Sequence, residues 1–218
     1  AESMAAFLLT VVLYLLLKRR YLTMIPVIAV LALTRPTGLA LALALLLHFG
    51  HRWLVRRRDP FPVRERVGAA LATLFSGMMG LAWPAIAWAV TGSFSAYTDT
   101  ELAWRAPYVG YHELVPFSAW IQGAEFWMPG PLGIVALVLF VALCATLLFL
   151  PAVRKLGTDL VIWIVSYSLY LLAVFFPQSS TFRLLMPLSP LLGAFAQPRS
   201  RLYRACLVVA LIAGQWGW

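Results

Sequence analysis

Eight stretches of nearly continuous apolar residues run along the chain, at about 3–17, 21–34, 36–50, 67–91, 132–150, 158–176, 184–196 and 205–218. They do not alternate apolar with polar, as the strands of a membrane β-barrel would, so each predicts a helix. Several are shorter than the roughly 20 residues that a perpendicular membrane crossing needs. Clusters of positive charge separate them: Lys18-Arg19-Arg20, then Arg52 with Arg56, Arg57, Arg58, Arg64 and Arg66, then Arg154-Lys155, then Arg199, Arg201 and Arg204.

One arginine falls inside an apolar tract, in Thr34-Arg35-Pro36-Thr37-Gly38. If 21–50 were a single helix, the clusters at 18–20 and 52–66 would lie on opposite sides of a membrane. That breaks the rule that Lys and Arg gather on the cytoplasmic side. A turn at 34–38 between two short helices puts both clusters on one side. The turn is chemically apt, because Pro36 disfavours helix at Arg35 and Gly38 permits unusual backbone angles. Continued alternation brings 154–155 and 199–204 to the same side. Of the 17 Lys and Arg residues, only Arg35, Arg105 and Arg183 remain outside.

Residues 92–131 form an outer loop of about forty residues, rich in Trp, Tyr and Phe. A loop of this length in a compact domain is usually functional or disordered, and its aromatic content is unlike that of disorder. Short helices lying at the membrane interface are expected there.

Composition supports this reading. The chain is 62% hydrophobic and 11% charged, against about 25% charged in soluble domains. The expected fold is an all-α polytopic transmembrane bundle, a single transmembrane domain over 1–218 with about seven or eight hydrophobic segments and the 92–131 loop inserted between spans. The net charge of +9 does not imply nucleic acid, since the basic residues flank hydrophobic segments. Cys144 and Cys206 lie in apolar runs and read as packing residues. His48 and His51 sit at the cytoplasmic end of a helix, and no histidine pairs with His112, so no metal and no cofactor is expected. The opening lacks the basic start of a signal peptide. The chain begins at Ala1, enters an apolar segment at once and ends at Trp218 within another, so it reads as an internal piece of a longer protein.

The same alternation places Asp59, Glu65 and Asp159 with the cytoplasmic cations. It gathers Glu2, Asp99, Glu101, Glu113, Glu125, His112 and Gln178 with the three outer arginines. The basic side suits anionic lipid. The outer mixture suits an amphiphile that combines lipid, phosphate and sugar: arginine forks bind phosphate, carboxylates bind hydroxyls, and aromatic faces stack on sugar rings. Each of these features also has an ordinary structural reading, as a solvated loop charge, an interfacial arginine or a membrane anchor.

The ordered set of motifs resembles a family. Ala1-Glu2-Ser3-Met4 before a helix, Ala32-Leu33-Thr34-Arg35-Pro36-Thr37-Gly38 after the next, Glu101-Leu102-Ala103-Trp104-Arg105, Pro116-Phe117-Ser118-Ala119-Trp120, and Ser180-Thr181-Phe182-Arg183 with Pro187 and Pro190 are similar to segments of multi-spanning GT-C glycosyltransferases. The nearest match is the bacterial relatives of the PIG-V type GPI mannosyltransferase. The resemblance implies transfer of a sugar, usually mannose, with inversion, from a polyprenyl-phosphate-linked donor to a glycan or glycolipid acceptor on the outer face of the cell membrane. It also implies an essential acid in a first outer loop upstream of Ala1, so the catalytic residue is not assigned here. Within this chain it implies that Arg35 and Arg183 hold the donor phosphate and that Glu2 orients a sugar hydroxyl or an arginine. Trp104, Arg105 and Trp120 shape the sugar and acceptor pocket, and Gln178 joins the substrate-binding set. The competing readings are a transporter or flippase for lipid-linked solutes, a glycan polymerase or ligase, and a membrane scaffold. A transporter needs charged residues along a path at mid-depth, and the spans hold almost none.

Overall fold

The computed structural model describes residues 2–112, 114–177 and 181–217. Among these there is no strand. The helices are α1 (Glu2–Leu17), α2 (Tyr21–Thr34), α3 (Gly38–Val55), α4 (Val63–Gly80), α5 (Ala82–Thr91), α6 (Ala96–Val109), α7 (Ser118–Trp127), α8 (Pro131–Leu147), α9 (Pro151–Arg154), α10 (Thr158–Val174), α11 (Thr181–Leu184), α12 (Leu192–Phe195) and α13 (Arg201–Gly217), with a 3-10 turn at Met186–Leu191.

The tract 21–50 is not one helix. Arg35 is extended, with φ −146° and ψ 137°, the conformation favoured before a proline. The chain then reverses. The Tyr21 hydroxyl, at the start of α2, lies 2.8 Å from His48 Nε2, near the end of α3. Arg19, in the turn before α2, donates to Asp59 at 2.6 Å. The clusters at 18–20 and 52–66 therefore share one end of the bundle. His48 also lies 2.7 Å from Asp159, at the start of α10, and Gln197 donates to the Ala152 carbonyl at 2.7 Å, so 154–155 and 199–201 gather at that same, basic end. Arg35 lies at the other.

α2 and α3 diverge from their turn and meet only sparsely, because α4 packs against both. A Cβ built on Gly38 would lie 2.6 Å from the Gly80 nitrogen, so these helices cross backbone to backbone. The Ser76 hydroxyl donates to the buried Gly38 carbonyl at 2.8 Å. The core lies between α1, α2, α3, α4 and α10, around Val12, Leu16, Met24, Ile28, Leu45 and Trp163.

Several expectations need adjustment. The apolar run at 184–196 is broken into α11, the 3-10 turn and α12, because Pro187 and Pro190 lack the amide hydrogens a helix needs. The run at 67–91 begins earlier, at Val63, and bends at Leu81. Cys144 and Cys206 are exposed and do not pack in the core: α8 buries only Gly133, and α13 makes no extensive contact with another helix among the described residues. The 92–131 loop does carry two short helices, α6 and α7. By length and composition, two helical stretches could cross a membrane, Gly38–Val55 and the bent Val63–Thr91 of 29 residues. Five further apolar helices are shorter.

Candidate functional site

Three residues far apart in sequence converge at the Arg35 end. Glu2 is in the first turn of α1, where a carboxylate also suits the helix dipole. Arg35 sits in the turn that Pro36 enforces, and Arg183 is on α11. The Arg35 guanidinium contacts Glu2 Oε1, and Arg183 Nε lies 3.5 Å from the same oxygen. Two cations thus lie against one carboxylate. Burial, and then the neighbouring Arg183 guanidinium, lower the pKa of Arg35 below its ordinary value. At any physiological pH it stays charged, because arginine starts so high.

These three side chains border a small cavity of about 30 Å³, whose wall includes Thr37, Tyr167 and Met186. It has room for a water or the tip of a polar group but not for a sugar. Its mouth is open toward Arg183, whose side chain is 57% exposed. A larger ligand would meet the guanidinium pair from outside.

A stripe on α10 holds this end in shape. Trp163, Tyr167 and Tyr170 recur at helical spacing on one face. The Trp163 indole donates to the Pro187 carbonyl at 2.8 Å. The Tyr167 hydroxyl donates to the Leu184 carbonyl at 2.8 Å, and Tyr170 donates to the Pro36 carbonyl at 2.7 Å. Each satisfies a carbonyl that proline or a turn leaves without a helical partner. The stripe therefore ties the Arg183 segment and the Arg35 turn to one rigid helix. It was open to detection in the sequence as aromatics at positions i, i+4 and i+7 of a predicted helix.

Trp104, Arg105 and Trp120 are not among the residues that border this cavity. The loop takes up carbonyls at the C-terminal end of α10, where helical amides run out, and adds a second donor to Leu171, which already accepts from the Phe175 amide. Arg105 donates to the Val174 carbonyl, the Phe117 amide to Ala173 at 2.9 Å, and the Trp120 indole to Leu171 at 2.9 Å. Burial lowers the Arg105 pKa, and Glu101 partly offsets this. Arg105 and Trp120 thus dock the loop onto α10. Trp120 also lines a second, apolar groove of about 250 Å³ with Gly123, Trp127, Phe140 and Pro177. Trp104 is 69% exposed. Gln178 and Glu113 lie outside the described residues.

The opposite end holds a network that the sequence did not reveal. His48, 1% exposed, donates through Nδ1 to Asp159 at 2.7 Å. A carboxylate only accepts, so in the neutral ring Nε2 accepts from the Tyr21 hydroxyl. Arg52 reads in sequence as one of the basic cluster at 52–66, yet it is 4% exposed. It is held by Asp59 at 2.9 Å, by Glu65 at 2.8 Å and by the Pro60 carbonyl at 2.8 Å. Among the described residues no cluster of His, Cys, Asp and Glu could hold a metal ion.

No family model, no curated protein and no solved structure matches the chain.

Proposed function

We propose that this chain is part of a multi-pass membrane glycosyltransferase of the GT-C type, and that its Arg35 end grips the phosphate of a polyprenyl-phosphate sugar, usually mannose, on the outer face. The observation that carries the reading is the convergence of Glu2, Arg35 and Arg183, from three distant parts of the chain, on one small cavity with two guanidiniums side by side.

Two further features agree with it. Apolar side chains on α8 and α13, among them Leu139, Leu143, Val209 and Ile212, are exposed, on a scale that calls for a lipid surround. α2 and the stretch of α10 from Leu160 to Val174 carry no charged residue, and α3 carries none before His48. The cations thus sort to two ends, and a charged transport path through the middle is disfavoured. The apolar groove at Trp120 would take the first isoprene units of the donor tail.

In the proposed step, an acceptor hydroxyl attacks the anomeric carbon as the bond to the donor phosphate breaks. The phosphate leaves with the bonding electrons. Arg35 and Arg183 stabilise the charge that develops on it, the largest kind of contribution a fixed cation makes. Glu2 holds Arg35 in place and moves aside from the phosphate or turns to a sugar hydroxyl. The group that accepts the proton is not assigned in this chain.

The test is transfer by the full-length protein from polyprenyl-phosphate mannose. Arg35→Ala should lower kcat by about 10²–10³ while leaving the protein folded. Normal transfer by a folded Arg35→Ala variant contradicts the proposal. Movement of the lipid across vesicles without transfer would favour a flippase.

A further inference from the structure

We infer that the basic end carries a built site for the phosphate of an anionic phospholipid, formed by Arg56 and Arg66 against the Trp53 ring. It rests on the membrane reading and not on sugar transfer.

Three observations lead there. First, the carboxylates at this end are already engaged: Asp59 with Arg19 and Arg52, Glu65 with Arg52, and Asp159 with His48. Second, neither Arg56 nor Arg66 is paired with a carboxylate among the described residues, and both guanidiniums lie against one indole. Arg56 is 4.5 Å from the Trp53 ring centroid and Arg66 is 5.1 Å from it. Third, backbone carbonyls fix them in place. Arg56 Nη1 donates to Trp53 at 2.7 Å, and Arg66 Nε donates to Phe61 at 2.6 Å. The rest of each fork remains for a phosphate oxygen. Phe49 stacks behind the indole, with the rings 11° from parallel, which stiffens the platform.

The ligand follows from the setting. Trp53 is 41% exposed, beside the exposed Leu54 near the end of a helix long and apolar enough to cross a bilayer. A tryptophan there marks headgroup depth. An anion at headgroup depth is a lipid phosphate, and the surplus positive charge around it selects an anionic headgroup over a zwitterionic one. Planar guanidiniums match two phosphate oxygens better than ammonium groups do.

The experiment is native mass spectrometry of the purified full chain titrated with phosphatidylglycerol, with phosphatidylcholine and with inorganic phosphate. The wild type should retain phosphatidylglycerol preferentially. The double variant Arg56→Gln/Arg66→Gln should lose about 30-fold in phosphatidylglycerol affinity, as the loss of two direct charge-assisted arginine–phosphate contacts implies. Arg199→Gln/Arg201→Gln removes the same charge at the same end without touching the indole, and should lose far less. Equal losses in the two double variants would overturn the site in favour of a diffuse basic surface. Unchanged affinity in Arg56→Gln/Arg66→Gln, or displacement of the lipid by inorganic phosphate at equal concentration, would overturn it too. Should the double variant fail to fold, Arg56→Gln alone, whose side-chain bond stays within its own turn, should still lose about fivefold, the scale of one direct charge-assisted contact; no loss there contradicts the site.

Discussion

Glu2 stands where a donor phosphate would bind, because it already occupies the Arg35 guanidinium. If it competes with the phosphate, Glu2→Gln removes a repulsion and frees a cation. Affinity for polyprenyl phosphate should then rise by roughly fivefold to tenfold, the scale of one pair of partly exposed like charges, while transfer falls. Isothermal titration and a transfer assay read the two effects separately; weaker binding would mean that Glu2 serves only to position Arg35. Arg183→Lys keeps the charge but loses the fork, so transfer should drop at least tenfold while folding is unaffected. At this scale the sequence was partly legible. Arg35 stood out because Pro36 and Gly38 forced a turn around it, and because charge sorting left it with only Arg105 and Arg183 on its side. The pairing of His48 with Asp159 was not legible, since 111 residues separate them and nothing local records the contact. Arg52 was misread for the same reason: an arginine among arginines gives no sign that it alone turns inward.

The helices themselves followed from the hydrophobic pattern. Their bounds at α1, α2 and α10 lie close to the apolar runs, because an unbroken apolar run has few other ways to satisfy its backbone. The failures came where backbone chemistry overrode composition. Apolar residues at 184–196 continue the pattern, yet Pro187 and Pro190 break the helix and leave carbonyls that the α10 aromatics must satisfy. Packing between elements was hidden as well, for instance at the α3–α4 crossing, where two glycines touch. Gly80→Ala would drive a methyl to 2.7 Å from the Leu39 backbone nitrogen and side chain. It should cost about 1–3 kcal/mol and lower the melting temperature of the purified protein in detergent. Gly50→Ala, on α3 away from the crossing and with nothing within 4 Å, should be neutral or slightly stabilising. If both behave alike, the close crossing is wrong. Tyr170→Phe removes only the bond to the Pro36 carbonyl. It should cost about 1 kcal/mol and raise the KM for donor more than it lowers kcat, because it loosens the Arg35 turn without touching the phosphate.

Across the whole molecule, the bundle keeps its charges at two ends with an apolar stretch between. The basic end is structural at its centre, and the lipid site inferred above lies at its rim. His48 and Arg52 sit buried among α2, α3, α10 and the 56–62 turn, so the network fastens helices that are far apart in sequence. His48→Ala leaves Asp159 and the Tyr21 hydroxyl without their partner and should destabilise the fold by roughly 3 kcal/mol, measured by thermal unfolding in detergent. A loss within error of zero would mean that solvent reaches the network. The opposite end gathers few cations, and it holds them on turns and proline-broken segments rather than within spans. This placement links fold to the proposed chemistry: the middle excludes charge, so under that proposal the arginines at that end would meet an anion at the membrane surface. The most direct test of this account is native mass spectrometry of the full-length protein with polyprenyl phosphate and with the uncharged polyprenol. The wild type should prefer the phosphate strongly, and the Arg35→Ala/Arg183→Ala variant should bind the two lipids equally. A phosphate preference that survives in that variant would contradict the account.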